Sequence, residues 1–260
     1  MRVFSHTPSN TEIVCALGCA HLLVGVDADS DYPPEVVDAL PRAGRDLDLD
    51  ADIVRALRPD LVLTSNTVPG HEKVVARLEA AGLEILVSDP LSLEEVYDDI
   101  RRIARVLGVP ERGELLANAM HSAMPAVTPH DERPRVLVEW WPKPLIAPAQ
   151  HSWTTDMIHL AGGANPWARV DAKSLPMEQG EGLKAMPDII VMSWCGVKQE
   201  KYRADIVRER PGWEVVPAVA ANRILAVSET FLGRPGPRLV EGYRILRDAI
   251  AAVSPGIGTG

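Results

Sequence analysis

Asp52-Ile53-Val54-Arg55-Ala56-Leu57-Arg58-Pro59-Asp60-Leu61-Val62-Leu63-Thr64-Ser65 decides the fold, because the chain repeats it. The second version is Glu181-Gly182-Leu183-Lys184-Ala185-Met186-Pro187-Asp188-Ile189-Ile190-Val191-Met192-Ser193-Trp194. Each reads as a short amphipathic helix, a Pro-Asp break, an apolar strand and a small polar residue. Proline ends the helix, since its ring bars the preceding residue from continuing it. The apolar run that follows is short enough for a parallel strand covered on both faces. One unit repeated in each half predicts two similar α/β lobes. A cleft between lobes is then the place to look for a ligand.

The surrounding elements extend the pattern. In the first half, strands at 3–5, 22–26, 61–64 and 84–87 alternate with helices. Ser9 and Glu12 have capping-box spacing and predict a helix opening at Ser9. Asp50 or Asp52 caps the helix before Pro59, and a further helix covers 72–81. A helix from Ser92 to Leu107 is followed at Pro110 by one of about 18 residues, roughly 27 Å long, ending near Val127. An exposed loop at 128–134 leads to strands at 135–139, 189–193 and 223–227, with helices at 154–160, 198–209 and from Pro235 or Pro237 to Ala252. A short tail follows at 254–260. The predicted organisation is an N-terminal α/β lobe over 1–109, an interdomain helix over 110–127 and a C-terminal α/β lobe over 128–260. Alternation of strand and helix makes both sheets parallel.

Composition narrows the function. The 260 residues are 46% hydrophobic and 24% charged, ordinary for a globular protein. A net charge of −9 gives no nucleic-acid footprint. No apolar run approaches the roughly 20 residues needed to span a bilayer. The amino terminus shows no signal-peptide pattern, so the chain as written is expected to be cytoplasmic, or periplasmic or cell-surface if a leader was trimmed. Cys15, Cys19 and Cys195 read as buried, inert thiols rather than metal ligands. Asp46, Asp48, Asp50 and Asp52 alternate with other residues and read as helix caps or a strand edge, so no metal is expected. No G-x-S-x-G elbow, P-loop or dinucleotide fingerprint is visible, which favours a binding protein over an enzyme.

Aromatic residues are only 5% of the chain, and all six tryptophans follow residue 139. Trp140, Trp141, Trp194 and Phe231 follow predicted strands of the second half, and Tyr32 follows one of the first. Ligands of open α/β sheets bind beyond the carboxyl ends of the strands, and rigid flat side chains there suit a large, partly apolar molecule. Arg234 and Arg238, beside Phe231, offer guanidinium forks to amides, carboxylates or phosphate. Trp153, Trp167 and Trp213 read as structural.

Taken in order, Thr7-Pro8-Ser9-Asn10-Thr11-Glu12-Ile13-Val14-Cys15-Ala16-Leu17-Gly18, Val24-Gly25-Val26, Ser30-Asp31-Tyr32-Pro33-Pro34, Leu57-Arg58-Pro59-Asp60-Leu61-Val62-Leu63 and Arg234-Pro235-Gly236-Pro237-Arg238-Leu239 resemble the solute-binding proteins of cobalamin and iron-siderophore ABC transporters. The match is nearest the cobalamin branch and covers almost the whole chain. The resemblance implies two Rossmann-like lobes joined by a single long helix, no resident cofactor, and a cobalamin or other corrinoid held in the cleft. It implies ligand contacts from Pro8, Ser9 and Tyr32 on one side and from Trp140, Trp141, Trp194 and Phe231 on the other. It further implies a monomer that docks on an ABC permease through one surface glutamate per lobe. Glu72 matches the first and Glu200, in the corresponding second-lobe helix, the second. Arg42 to Asp52 carries no aromatic where some cobalamin binders have a tryptophan. Two alternatives stand beside this reading: a ferric-siderophore or haem binder of the same fold, which would use Arg42, Arg45, Arg203, Arg234 and Arg238, and a cytoplasmic corrinoid-handling protein or enzyme.

Overall fold

The structure, a computed structural model, describes residues 1–128 and 132–253. Part of the boundary loop expected over 128–134 and the whole tail 254–260 lie outside them. The chain divides into two compact units, Met1–Pro90 with Glu95–Ala119, and Leu91–Glu94 with the chain from Met120 onward.

The first unit runs β1 (Val3–Ser5), α1 (Pro8–Ala16), β2 (Leu23–Val26), α2 (Pro34–Val37), α3 (Ala51–Ala56), β3 (Leu61–Ser65), α4 (His71–Ala80), β4 (Ile85–Ser88) and α5 (Leu93–Val106), and enters α6 (Pro110–Ala123). The sheet order is β2-β1-β3-β4, parallel throughout. Phe4, Val54, Val62, Val74 and Leu78 fill one face of it with no more than traces of exposure. The helix expected at Ser9 begins one residue earlier, at Pro8. Proline's fixed φ and missing N–H suit the first turn, so Ser9 lies within the helix and caps nothing. Asp50 is the cap of α3, accepting from the amides of Asp52 (2.9 Å) and Ile53 (3.2 Å). The long helix expected over 110–127 stops at Ala123, because Pro125 disfavours helical backbone at Met124.

The second unit follows with β5 (Val136–Glu139), β6 (Trp141–Pro142), β7 (Leu145–Pro148), α7 (Trp153–Leu160), β8 (Ser174–Met177), α8 (Gln179–Lys184), β9 (Ile189–Met192), α9 (Asp205–Arg208), α10 (Pro217–Ala220), β10 (Ile224–Ala226) and α11 (Leu239–Ala251). Its parallel sheet is β10-β9-β5. A second, antiparallel sheet, β6-β7-β8, was not expected from the sequence. The helix expected over 198–209 is replaced by a 3-10 turn at Gln199–Lys201 and the single-turn α9. Tyr202 breaks it: its backbone is extended, and its hydroxyl donates to the Trp194 carbonyl at 3.0 Å.

The repeated phrase builds the same joint twice. The residue before each proline, Arg58 or Met186, turns left-handed at φ 48° and 47°, ending its helix. Asp60 Oδ2 then accepts from the Arg2 amide (2.6 Å) while the Asp60 amide donates to the Arg2 carbonyl (2.7 Å). Asp188 Oδ2 does the same with the Arg135 amide (2.8 Å), and the Asp188 amide with the Arg135 carbonyl (2.8 Å). Arg2 and Arg135 each stand just before the first strand of their unit. Their guanidinium groups reach back to the last helix carbonyls, Leu57 at 2.7 Å and Ala185 at 3.3 Å, where cations are favoured by the helix dipole. Each Pro-Asp turn thus fixes β3 or β9 beside β1 or β5 in register.

Candidate functional site

In the first unit the loops at the carboxyl ends of β1 and β2 are held by small polar side chains. Asn10 Nδ2 donates to the carbonyls of His6 (2.9 Å) and Thr64 (3.1 Å), pinning the β1–α1 loop to the end of β3. That loop passes through Thr7 at φ 78°, a conformation uncommon outside glycine, and it persists because Asn10 and the helix fix both sides. Pro8 is half-buried. Ser9 is buried, with its hydroxyl 3.2 Å from Thr7 Oγ1, so the structure turns it inward rather than toward solvent.

The β2–α2 loop is organised around Asp27. Its carboxylate accepts from the amides of Asp29 (2.8 Å) and Ser30 (3.0 Å) and from Ser30 Oγ (2.7 Å). Thr11 Oγ1 lies 2.8 Å from Ser30 Oγ and donates to Ser5 Oγ at 2.9 Å. Burial raises the Asp27 carboxyl, and the Ser30 hydrogen bond works against that rise. From outside, Arg42 Nη1 donates to the carbonyls of Asp27, Ala28 and Ser30 at 2.9–3.2 Å. The product is a fixed loop that displays Tyr32, 44% exposed.

The second unit uses a buried charge pair instead. Glu139, the last residue of β5, is fully buried and accepts both Nη1 and Nη2 of Arg210 at 2.8 and 2.9 Å. The guanidinium carbon lies 4.7 Å from the Trp213 ring centroid. The same carboxylate accepts Trp194 Nε1–H at 2.9 Å, and the Trp194 ring lies 5.0 Å from that of Tyr202. Trp194 is therefore only 4% exposed. Its ring is held by the core, a placement the sequence did not anticipate. Trp140 is half-buried beside Trp153, with ring centroids 6.4 Å apart. Trp141, 39% exposed, is displayed to solvent on the β6–β7 hairpin. Trp153, Trp167 and Trp213 are buried, as read from the sequence.

Phe231 is half-buried above α11, where Gly242 lets the helix pass against the Phe231 carbonyl; a Cβ there would collide with it. Arg238 Cζ lies 5.8 Å from the Phe231 ring centroid. Arg234 donates from Nε and Nη2 to Glu229 Oε1 at 3.1 and 3.0 Å. The arginines considered for an anionic iron chelate are similarly engaged: Arg45 with Asp29 at 3.2 Å, Arg203 with the carbonyls of Glu200 and Tyr202, and Arg42 as above. Glu72 is exposed on the first turn of α4 and accepts the Gly70 amide at 2.8 Å. Glu200 is exposed in the 3-10 turn, not in the α-helix expected for it. Cys15 is half-buried and its thiol is pushed by burial up to about 11; Cys19 is buried, while Cys195 is exposed, contrary to the expectation that all three are covered.

Residues 3–229 match the family model described as periplasmic binding protein. The chain belongs to the periplasmic binding protein family. Within it, an uncharacterised ABC transporter substrate-binding lipoprotein of Bacillus subtilis (strain 168), YvrC, is 30% identical over 96% of this chain and 79% of its own length. A vitamin B12-binding protein of Vibrio cholerae serotype O1 is 26% identical over 92% of this chain and 85% of its own. The periplasmic heme-binding protein RhuT from Roseiflexus sp. RS-1, solved in apo form, superposes with a TM-score of 0.81 at 27% identity, covering 98% of this chain and 99% of RhuT. The resemblance read from the sequence holds at the level of the family, and a periplasmic binding protein is a binder rather than an enzyme. The expected α/β fold with parallel sheets holds as well. A cytoplasmic location gains no support from relatives whose names carry "periplasmic" and "lipoprotein". Among the described residues no helix is long and apolar enough to cross a membrane.

Proposed function

We propose that this chain is the substrate-binding protein of an ABC importer, working outside the cytoplasm as a monomer, and that its substrate is a corrinoid of the cobalamin type. The observation that carries the ligand class is the pair of exposed aromatics displayed on fixed loops, Tyr32 and Trp141. Fixed, flat side chains contact a large macrocycle with little ordering cost. We assign the contacts to Pro8, Tyr32, Trp140, Trp141, Phe231 and Arg238, with Ser9, Trp194 and Arg234 supporting their loops from behind. The vitamin B12-binding relative, 26% identical to this chain, supports a corrinoid. The engagement of Arg42, Arg45, Arg203 and Arg234 with partners inside the chain counts against an anionic ferric chelate. Haem is the second reading, favoured by the likeness to RhuT. Glu72 and Glu200 are the assigned permease contacts.

Tryptophan fluorescence on titration with cyanocobalamin tests this. Saturable quenching at one ligand per chain is expected, and Trp141→Ala is expected to weaken binding at least about tenfold, the loss of one stacked aromatic anchor. Saturation by hemin with no response to cyanocobalamin would transfer the assignment to haem.

A further inference from the structure

His6, Asp46 and His71 converge at one point of the first unit. They come from the end of β1, from the 3-10 turn Asp46–Asp48 and from the first residue of α4. His6 and His71 are 0% and 1% exposed. His71 Nε2 hydrogen-bonds Asp46 Oδ1 at 2.8 Å, while His6 Nε2 hydrogen-bonds the Asp46 backbone carbonyl at 3.0 Å and lies 3.2 Å from Oδ1, and the three ligand atoms lie within 4.8 Å of one another. The rings meet edge to face at 5.3 Å. His6 Nδ1 lies 2.7 Å from Thr64 Oγ1, the outer hydrogen bond that fixes the tautomer and orientation of a metal-binding imidazole. Partial burial acts to raise the Asp46 carboxyl, but the hydrogen bonds from His6 and His71 outweigh it and hold the carboxyl below the usual range.

We propose that His6 Nε2, Asp46 Oδ1 and His71 Nε2 form a binding site for a divalent transition metal of the zinc class, separate from the corrinoid contacts. Two imidazoles and one carboxylate are a borderline donor set suited to Zn²⁺ and Co²⁺ and poorly suited to Ca²⁺ or Mg²⁺. One negative ligand leaves the site with net positive charge, and a water completes the tetrahedron. Metal uptake needs the proton of each imidazole to leave Nε2, since both Nε2 atoms face Asp46 oxygens; that of His6 moves to Nδ1, beside Thr64 Oγ1. The Val68 amide donates to His71 Nδ1 at 3.3 Å, so without metal His71 carries its proton on Nε2, facing Asp46. Binding shifts that proton to Nδ1 and turns the Val68 amide away, in a segment where Val68 is 42% exposed. The consequence is local stiffening. The Asp46 amide donates to Asp29 Oδ2 at 3.0 Å, and Asp29 belongs to the loop that displays Tyr32. The ion would tie that loop to β1 and α4.

The test uses tag-free protein stripped with a chelator. Calorimetric titration with Zn²⁺ is expected to give one ion per chain and a raised melting temperature. Co²⁺ is expected to give the visible absorption of a tetrahedral site without the near-ultraviolet band of a thiolate ligand. Asp46→Asn and His71→Gln are each expected to lower Zn²⁺ affinity at least tenfold, and Thr64→Val about 10–100-fold through the lost outer hydrogen bond. Circular dichroism checks that each variant is folded. Absence of binding at about 100 μM Zn²⁺, a Co²⁺–thiolate band, or full stoichiometric affinity in both Asp46→Asn and His71→Gln would each overturn the proposal. If a variant fails to fold, the wild-type titration and Co²⁺ spectrum still decide.

Discussion

The two Pro-Asp joints are near copies, yet the loops at the carboxyl ends of the two parallel sheets are held by opposite means. In the first unit Asp27, Ser30, Thr11 and Ser5 form a chain of short hydrogen bonds, and Arg42 clasps the loop from outside. In the second, a single fully buried carboxylate, Glu139, gathers Arg210 and Trp194. A distributed network loses about 0.5–1.5 kcal/mol for each bond removed. A buried ion pair is different in kind, because removing one member leaves the other charged and dry. The lesson is that one repeated frame supports a tolerant loop in one unit and a brittle one in the other.

The largest expected effect follows from that contrast. Arg210→Ala strands Glu139 and is expected to cost about 3–5 kcal/mol in urea melts, with loss of the Trp194 environment in near-ultraviolet dichroism. Thr11→Ala, its counterpart in the first unit, is expected to cost about 1 kcal/mol. Equal losses would erase the distinction between the units. Gly242→Ala drives a methyl into the Phe231 carbonyl and is expected to cost about 1–3 kcal/mol as overpacking; corrinoid affinity should fall with it if Phe231 is a contact. The smallest effect separates the two joints. Asp188 is 22% exposed and Asp60 is 60% exposed at the side chain, so Asp188→Asn should destabilise more than Asp60→Asn, by about 1 kcal/mol or less.

The Asp188 comparison also carries a pH signature. Burial acts to raise its carboxyl, but hydrogen bonds from Arg135 prevail and lower it from 3.8. A folded value below the unfolded one gives stability that is fully present above the unfolded value and is lost as pH falls through the folded one. Wild type and Asp188→Asn should therefore differ near neutrality, begin to draw together below about pH 4 and converge only once pH has fallen past the lowered folded value.

The frame was legible in the sequence because it is local: the helix, Pro-Asp break and apolar run lie within fourteen letters, and proline's sterics need no tertiary help. The partners Arg2 and Arg135 were not legible, since each sits more than fifty residues from its aspartate. The β6-β7-β8 sheet escaped because Trp141-Pro142 and Leu145–Pro148 are short and proline-bearing, which demotes a strand reading. The helix over 198–209 was overread because its charged pattern suits a helix, while the inward bond of Tyr202 is tertiary. Among the site residues, Tyr32 is exposed in the loop after β2 and Trp141 at the start of β6. Trp194 and Ser9 turn inward, because Glu139 and Thr7 offer them hydrogen bonds that no local spacing reveals. The His6–Asp46–His71 cluster joins positions 25 to 65 residues apart and left no local motif.

The proposed corrinoid specificity can be decided by one calorimetric competition. Protein freed of ligand is titrated with cyanocobalamin, first alone and then after saturation with hemin or with a ferric hydroxamate. One cyanocobalamin per chain is expected, bound whether or not a ferric hydroxamate is present and weakened only by whatever hemin itself occupies. Tight, stoichiometric binding of hemin or of the ferric chelate, with no heat from cyanocobalamin, would contradict it.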